Sequence, residues 1–155
     1  MTDYVISDLH FGHKRILEFS PGLRGGTNSE EHDEWLISQI NSRVTKQDRL
    51  YILGDIAMGK IHLPKVKRLN GFKYLVRGNH DTLSTHTYLE YFNQVYGILK
   101  LEGFWLTHAP IHPLELRGKK NIHGHVHQNS IPDDRYINAC VEACNGIPLA
   151  IKDLR

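Results

Sequence analysis

A short apolar run that ends abruptly in metal-capable polar residues recurs along this chain, and no other feature constrains the fold as much. Tyr4-Val5-Ile6 leads into Asp8 and His10, and Leu50-Tyr51-Ile52-Leu53 leads into Gly54-Asp55. Tyr74-Leu75-Val76 precedes Gly78-Asn79-His80-Asp81, Phe104-Trp105-Leu106 precedes His108, and Asn121-Ile122 precedes His123, His125 and His127. Runs of this length, rich in β-branched and aromatic residues, read as buried strands. The polar residues then lie just past the carboxyl ends of successive strands, where α/β proteins build their sites.

Helical patterns fill the first intervals. Asn28 with Glu31 three residues on forms a capping-box signature, and Leu36, Ile37, Ile40 and Val44 follow at the spacing of one helix face. A second helix is expected from near Pro64 through Val66 and Leu69, with Gly71 as its stop. Beyond about residue 95 the pattern changes to strands over 95–101, 104–107, 121–123 and 136–144, and Asn145-Gly146 closes the last with a turn. An α/β first half followed by a strand-rich second half predicts two packed sheets with helices outside, within one domain over 1–155.

Composition narrows the class. The 155 residues are 40% hydrophobic with a formal net charge of +2, too apolar and too weakly charged for a disordered chain. The same small charge argues against a protein that coats itself in nucleic acid. No apolar run approaches the ~18 residues of a membrane span, and Tyr4-Val5-Ile6 is too short for a signal peptide. A soluble, cytoplasmic protein with no membrane partner is the expectation. Cys140 and Cys144 share one expected strand, where i and i+4 lie too far apart to bridge, so both read as ordinary thiols. The anomaly is the count of eleven histidines, which cluster at the strand ends.

Each spacing has a mechanical reason. In Asp8-x-His10 and His125-x-His127 both residues would point to one side of an extended segment. Glycines before Asp55, Asn79 and His125 let the chain turn sharply and approach a ligand closely. Asp, His and Asn are O and N donors suited to divalent transition metals, and they are too many for one ion.

In this order, and with Ile6-Ser7-Asp8-Leu9-His10-Phe11-Gly12-His13 at the start, the motif set over 8–127 resembles the calcineurin-like metallophosphoesterases, specifically the small single-domain kind of bacteria and phages. The resemblance implies a four-layer α-β-β-α sandwich with a dinuclear metal centre. Asp8, His10, Asp55 and His127 would hold one ion, and Asp55, Asn79, His108 and His125 the other, with Asp55 bridging. His80 would be the catalytic histidine near the leaving oxygen, oriented by Asp81. Asn79 would also face the substrate, and His13 is either a phosphate contact or a plain surface histidine. His123 is expected to support a ligand from behind or to pack, and His32, His62, His86 and His112 have no motif around them. Imidazole and carboxylate ligation without thiolate points to Mn, Fe or Zn, with Mn²⁺ favoured by the resemblance.

Two ions, two carboxylates and a shared water would leave a positive centre that attracts phosphate without a basic surface. The expected activity is hydrolysis of phosphate esters, more readily nucleotide-type diesters, with a phosphomonoesterase as the alternative. The expected partner is a small nucleotide-like phosphate ester. Long nucleic acid is a further alternative, carried by Lys14, Arg15, Arg24, Arg77, Arg117, Lys119 and Lys120, and a metal-binding scaffold is the non-enzymatic one. Loops 20–28, 82–93 and 109–120 are expected to shape the pocket. One departure stands out: many relatives carry an acidic residue three positions after the Gly-Asp aspartate, where this chain continues Ile56-Ala57-Met58.

Overall fold

In the computed structural model, which describes residues 1–155, the first apolar runs become a parallel sheet. Strands β1 (Asp3–Ile6), β2 (Arg49–Ile52), β3 (Phe72–Val76) and β4 (Gln94–Tyr96) lie side by side in parallel register. A second sheet carries β5 (Leu99–Leu101), β6 (Phe104–Thr107), β7 (Lys120–His123) and β8 (Tyr136–Asn138), in that order. In it β6, β7 and β8 are parallel and β5 is antiparallel. The short β9 (Leu149–Ala150) returns to pair antiparallel with β1.

Side-chain alternation along these strands builds two cores. Val5, Tyr51, Leu53 and Val76 face Phe104, Leu106 and Ile122 between the sheets. The alternate residues Ile6, Leu50, Ile52 and Leu75 face outward into a helical layer, as a period of two dictates. That layer is chiefly α2 (Ser29–Asn41), preceded by a single turn, α1 (Ile16–Phe19). Asn28 caps α2 through the Glu31 amide, and Leu36, Ile37, Ile40 and Val44 are all buried against the sheet. Glu31 reaches back to Thr27 rather than to Asn28, so the box closes one residue early.

Several boundaries differ from expectation. The second helix is a 3-10 helix over Lys60–Arg68, beginning before Pro64, and Pro64 lies inside it where the missing amide removes an α-type bond. The expected strand over 95–101 divides at Gly97-Ile98, so that its halves belong to different sheets. The expected strand over 136–144 ends at Asn138, and a turn of helix, α4 (Val141–Cys144), follows α3 (Thr85–Tyr88) in chain order. Cys140 and Cys144 therefore do not share a strand, although both are free thiols. Asn145 ends α4 in the left-handed conformation. The outer face of the second sheet is covered by loop 109–118 rather than by a long helix. There Trp105 donates to the Leu116 carbonyl, and Tyr136 to that of Ile111. No helix is long and apolar enough to cross a membrane.

The two sheets are stitched together at their carboxyl edge. Ser7 donates to Ala139 and accepts from Val141, while Ala139 donates to His123 and Gly124 to His108. The ends of β1, β6, β7 and β8 thus meet at one place.

Candidate metal centre

At that meeting point the chain leaves regular geometry. Asp8, His10, Asp55, His125 and His127 all adopt positive φ, between 53° and 74°. Five expected ligands thus take a conformation that L-residues avoid and that costs of order 1–3 kcal/mol each. The D-x-H and H-x-H pairs converge through this left-handed backbone and not through strand alternation, which corrects the sequence expectation. Gly54 fits its expected role: its φ is +97°, and a Cβ there would lie 2.5 Å from the Gly78 nitrogen.

Two groups of donors result. Asp8, His10 and His127 present ligand atoms within 4.8 Å of one another, and so do Asp8, Asp55 and His108. His10 Nε2 lies 3.5 Å from Asp8 Oδ1 and 3.8 Å from Asp55 Oδ2, and His108 Nε2 lies 3.5 Å from Asp55 Oδ2. Asp55 Oδ2 therefore stands between the groups, while Asp8 Oδ1 also faces His127 Nε2 at 3.7 Å. Asn79 Oδ1 is 2.8 Å from His108 Nε2, and His125 Nδ1 is 3.2 Å from the same atom. All seven expected ligands are thus gathered around one centre, with Asn79 and His125 on its exposed side.

A cation fits this arrangement. Asp8 Oδ1 and His10 Nε2 are both buried, and neither has a hydrogen-bond partner. Buried polar atoms are rarely left so, and two facing orphans, one carboxylate and one imidazole, match the N/O preference of divalent transition metals. Burial works to raise the Asp8 carboxyl, but the neighbouring His10 imidazole, the His108 charge, the His125 amide and the Ser7 hydroxyl together hold it below the usual carboxylate range. His108 Nδ1 contacts the Leu53 carbonyl at 2.7 Å, which turns Nε2 inward.

Residues without a local motif support the ligands. Ser7 Oγ donates to Asp8 Oδ2 at 2.6 Å, and its place in the Ile6–His13 stretch was the signal available in the sequence. Glu142 binds His127 Nδ1 at 2.9 Å and Ser20 Oγ at 2.6 Å. Arg24 joins Glu142 at 3.0 Å, and both side chains are fully buried. Arg24 is therefore no surface cation for nucleic acid. Arg77 is likewise engaged with the Asp81 and Leu83 carbonyls, and Lys119 lies over Trp105.

Asp81 requires a correction. Its carboxylate accepts the amides of Asp55 and Gly78 on Oδ2 and that of Ile56 on Oδ1. With both oxygens occupied by backbone, Asp81 holds the Asp55 and Gly78 turns together and does not orient the His80 ring. Burial pushes its carboxyl upward despite those amides. This also answers the missing acidic residue after Gly54-Asp55: Met58 stands exposed at that position, and the support for Asp55 comes from Asp81. His80 is exposed, its amide donates to Asp55 Oδ1 at 2.9 Å, and its ring stands 6.1 Å from that of His10.

The centre opens into a cleft of about 620 Å³ whose lining includes His10, His13, Ile16, Phe19, His80 and His127. His13 is half-buried on its wall, its ring 5.6 Å from those of both His10 and Phe19, and burial lowers its pKa. Val126, Gln128 and Asn129 also line the cleft. Of the loops expected to shape the pocket, only Ser20 touches this cleft; 82–93 and 109–120 do not line it. His123 packs against Tyr136 as expected, whereas His32 is buried in contact with Arg24 and Asp33.

The chain has clear relatives, although no protein-family model matches it. It is 32% identical over 163 aligned residues to MJ1445, an uncharacterized protein of Methanocaldococcus jannaschii, covering 96% of this chain and 86% of that one. The crystal structure of AQ665 from Aquifex aeolicus, a protein of unknown function, superposes with a TM-score of 0.78 at 28% identity, over 99% and 97% of the two chains. A fainter likeness is to the Pseudomonas putida nuclease MPE, with a TM-score of 0.49 at 23% identity over 81% of this chain and 60% of the other. Over nearly its whole length, then, the chain belongs to one family with MJ1445.

Proposed function

We propose that this protein is a metal-dependent phosphoesterase that hydrolyses phosphodiesters of nucleotide type. The observation that carries the reading is the facing pair of buried, unpartnered atoms, Asp8 Oδ1 and His10 Nε2, inside a ring of further donors. Asp8, His10, Asp55 and His127 would hold one ion, and Asp55, Asn79, His108 and His125 the other. Two divalent ions there would supply Lewis acidity to a phosphoryl group and acidify water, with Mn²⁺ the favoured ion.

The protein's own groups do the rest. His80 projects at the cleft mouth, tied through its amide to Asp55, within reach of a leaving alkoxide that it can protonate. A well-placed acid of this kind contributes roughly 10²–10⁴-fold. The cleft is lined by histidines, carboxamides and apolar side chains rather than by Lys or Arg, which suits a singly charged diester better than a monoester dianion. Phe19, 53% exposed at the cleft wall, lies under the Arg15 guanidinium, and a stacking base would compete for that face. Gln128 and Asn129, also in the cleft lining, carry amides of the kind that read base edges.

The test compares bis-p-nitrophenyl phosphate with the monoester, then a panel of nucleotides and cyclic nucleotides, in Mn²⁺ with and without chelator. Asp55→Asn serves as the blank. Diester turnover that needs metal and falls at least 100-fold in His80→Asn, with metal content kept, supports the proposal. Faster monoester turnover would assign the rival specificity, and no turnover of any ester would leave a metal-binding scaffold.

A further inference from the structure

The Arg24–Glu142 pair poses a physical question. Both side chains are fully buried, and a buried ion pair is a weak source of stability, because desolvation offsets most of the attraction. Its contacts instead converge on the metal groups. The Arg24 guanidinium donates to the Asp8 carbonyl at 2.6 Å and to the Leu9 carbonyl at 3.0 Å. These carbonyls lie in the segment where Asp8 and His10 are left-handed. Conformations of that kind persist only where the surroundings hold them. Glu142 Oε2 meanwhile accepts from Arg24 Nε, Ser20 Oγ and His127 Nδ1, and His127 Nε2 is left facing Asp8.

We propose that Arg24 and Glu142 are a positioning pair for the Asp8–His10–His127 group. Arg24 clamps the left-handed turn from behind, and Glu142 fixes His127 with its proton on Nδ1 and its free Nε2 directed at the shared centre. The inference rests on the metal reading above. The two groups share Asp8 but differ in their other supports, because Asp55 and His108 are held by Asp81 and the Leu53 carbonyl.

Titration calorimetry of the full chain with Mn²⁺ tests it. Wild type should show two binding events. Glu142→Gln should weaken one of them about 10–100-fold and leave the other within about twofold. In a His127→Ala background the same change should add nothing, since the ligand it positions has gone. Ser20→Ala removes only the hydroxyl that shares Oε2, and serves if Glu142→Gln does not fold; it should weaken the same event by a smaller factor. Unchanged affinities in a folded variant, equal loss at both events, or a full effect without His127 would each overturn the inference. A wild-type chain that binds no Mn²⁺ would overturn the metal reading as well, which distinguishes the two failures.

Discussion

Asp81 takes three backbone amides on one carboxylate, an arrangement an amide side chain cannot reproduce. Asp81→Asn would set an NH₂ against N–H donors, leaving at least one buried donor unsatisfied. We expect a loss of about 1–3 kcal/mol in urea unfolding and weaker Mn²⁺ binding, with substrate KM moving less than metal affinity. Gly124 makes the complementary point: a Cβ there would collide with the Ser7 and Asp8 side chains, so Gly124→Ala should abolish Mn²⁺ uptake in equilibrium dialysis. At this scale the convergence of the candidate ligands was legible in the sequence, because they follow strand ends in compact motifs. Their supports were not. Arg24 and Glu142 are 118 residues apart, each looks like any surface charge, and only the fold brings them together. Asp81 was noticed but misassigned, since adjacency to His80 in sequence says nothing about which atoms its oxygens meet.

Among the elements, α2 does more than cover the sheet. Its Asp33 accepts the Gly12 amide at 2.9 Å, pairs with Lys65 at 2.5 Å and contacts His32 at 2.9 Å, so the helix is pinned to the loop that follows His10. Burial works to raise the Asp33 carboxyl, but His32, Lys65 and the Gly12 amide prevail and hold it below its ordinary value. A carboxyl lowered by folding stabilises the native state above its unfolded pKa of about 4, and that contribution disappears as pH falls through the folded value. Asp33→Asn should therefore cost about 2–3 kcal/mol at pH 7, and the gap to wild type should narrow below about pH 4, as read by denaturant midpoints. Strong periodicity made α2 and the strands readable. The boundaries that misled had two causes: Gly97-Ile98 passes the chain between sheets, which local preference does not reveal, and Val141–Cys144 coils as its Glu142 and Ala143 favour, against the strand pattern read through it.

For the whole molecule, five left-handed candidate ligand residues and two unpartnered buried atoms make the metal-free chain less stable than its packing would allow. An ion that binds only the folded state adds about 2.7 kcal/mol at a hundredfold excess over its dissociation constant. Calorimetric melting should accordingly show Mn²⁺ raising Tm by several degrees, EDTA reversing it, and Asp55→Asn responding far less. The stitching of both sheets at one edge has a further consequence, for timing. Donors from residue 8 to residue 127 face one another only when the last sheet has docked, and the group behind His127 arrives at residue 142. On the ribosome, no partial product could assemble this arrangement, so any cation that the candidate centre holds would enter only after the segment through residue 142 had emerged.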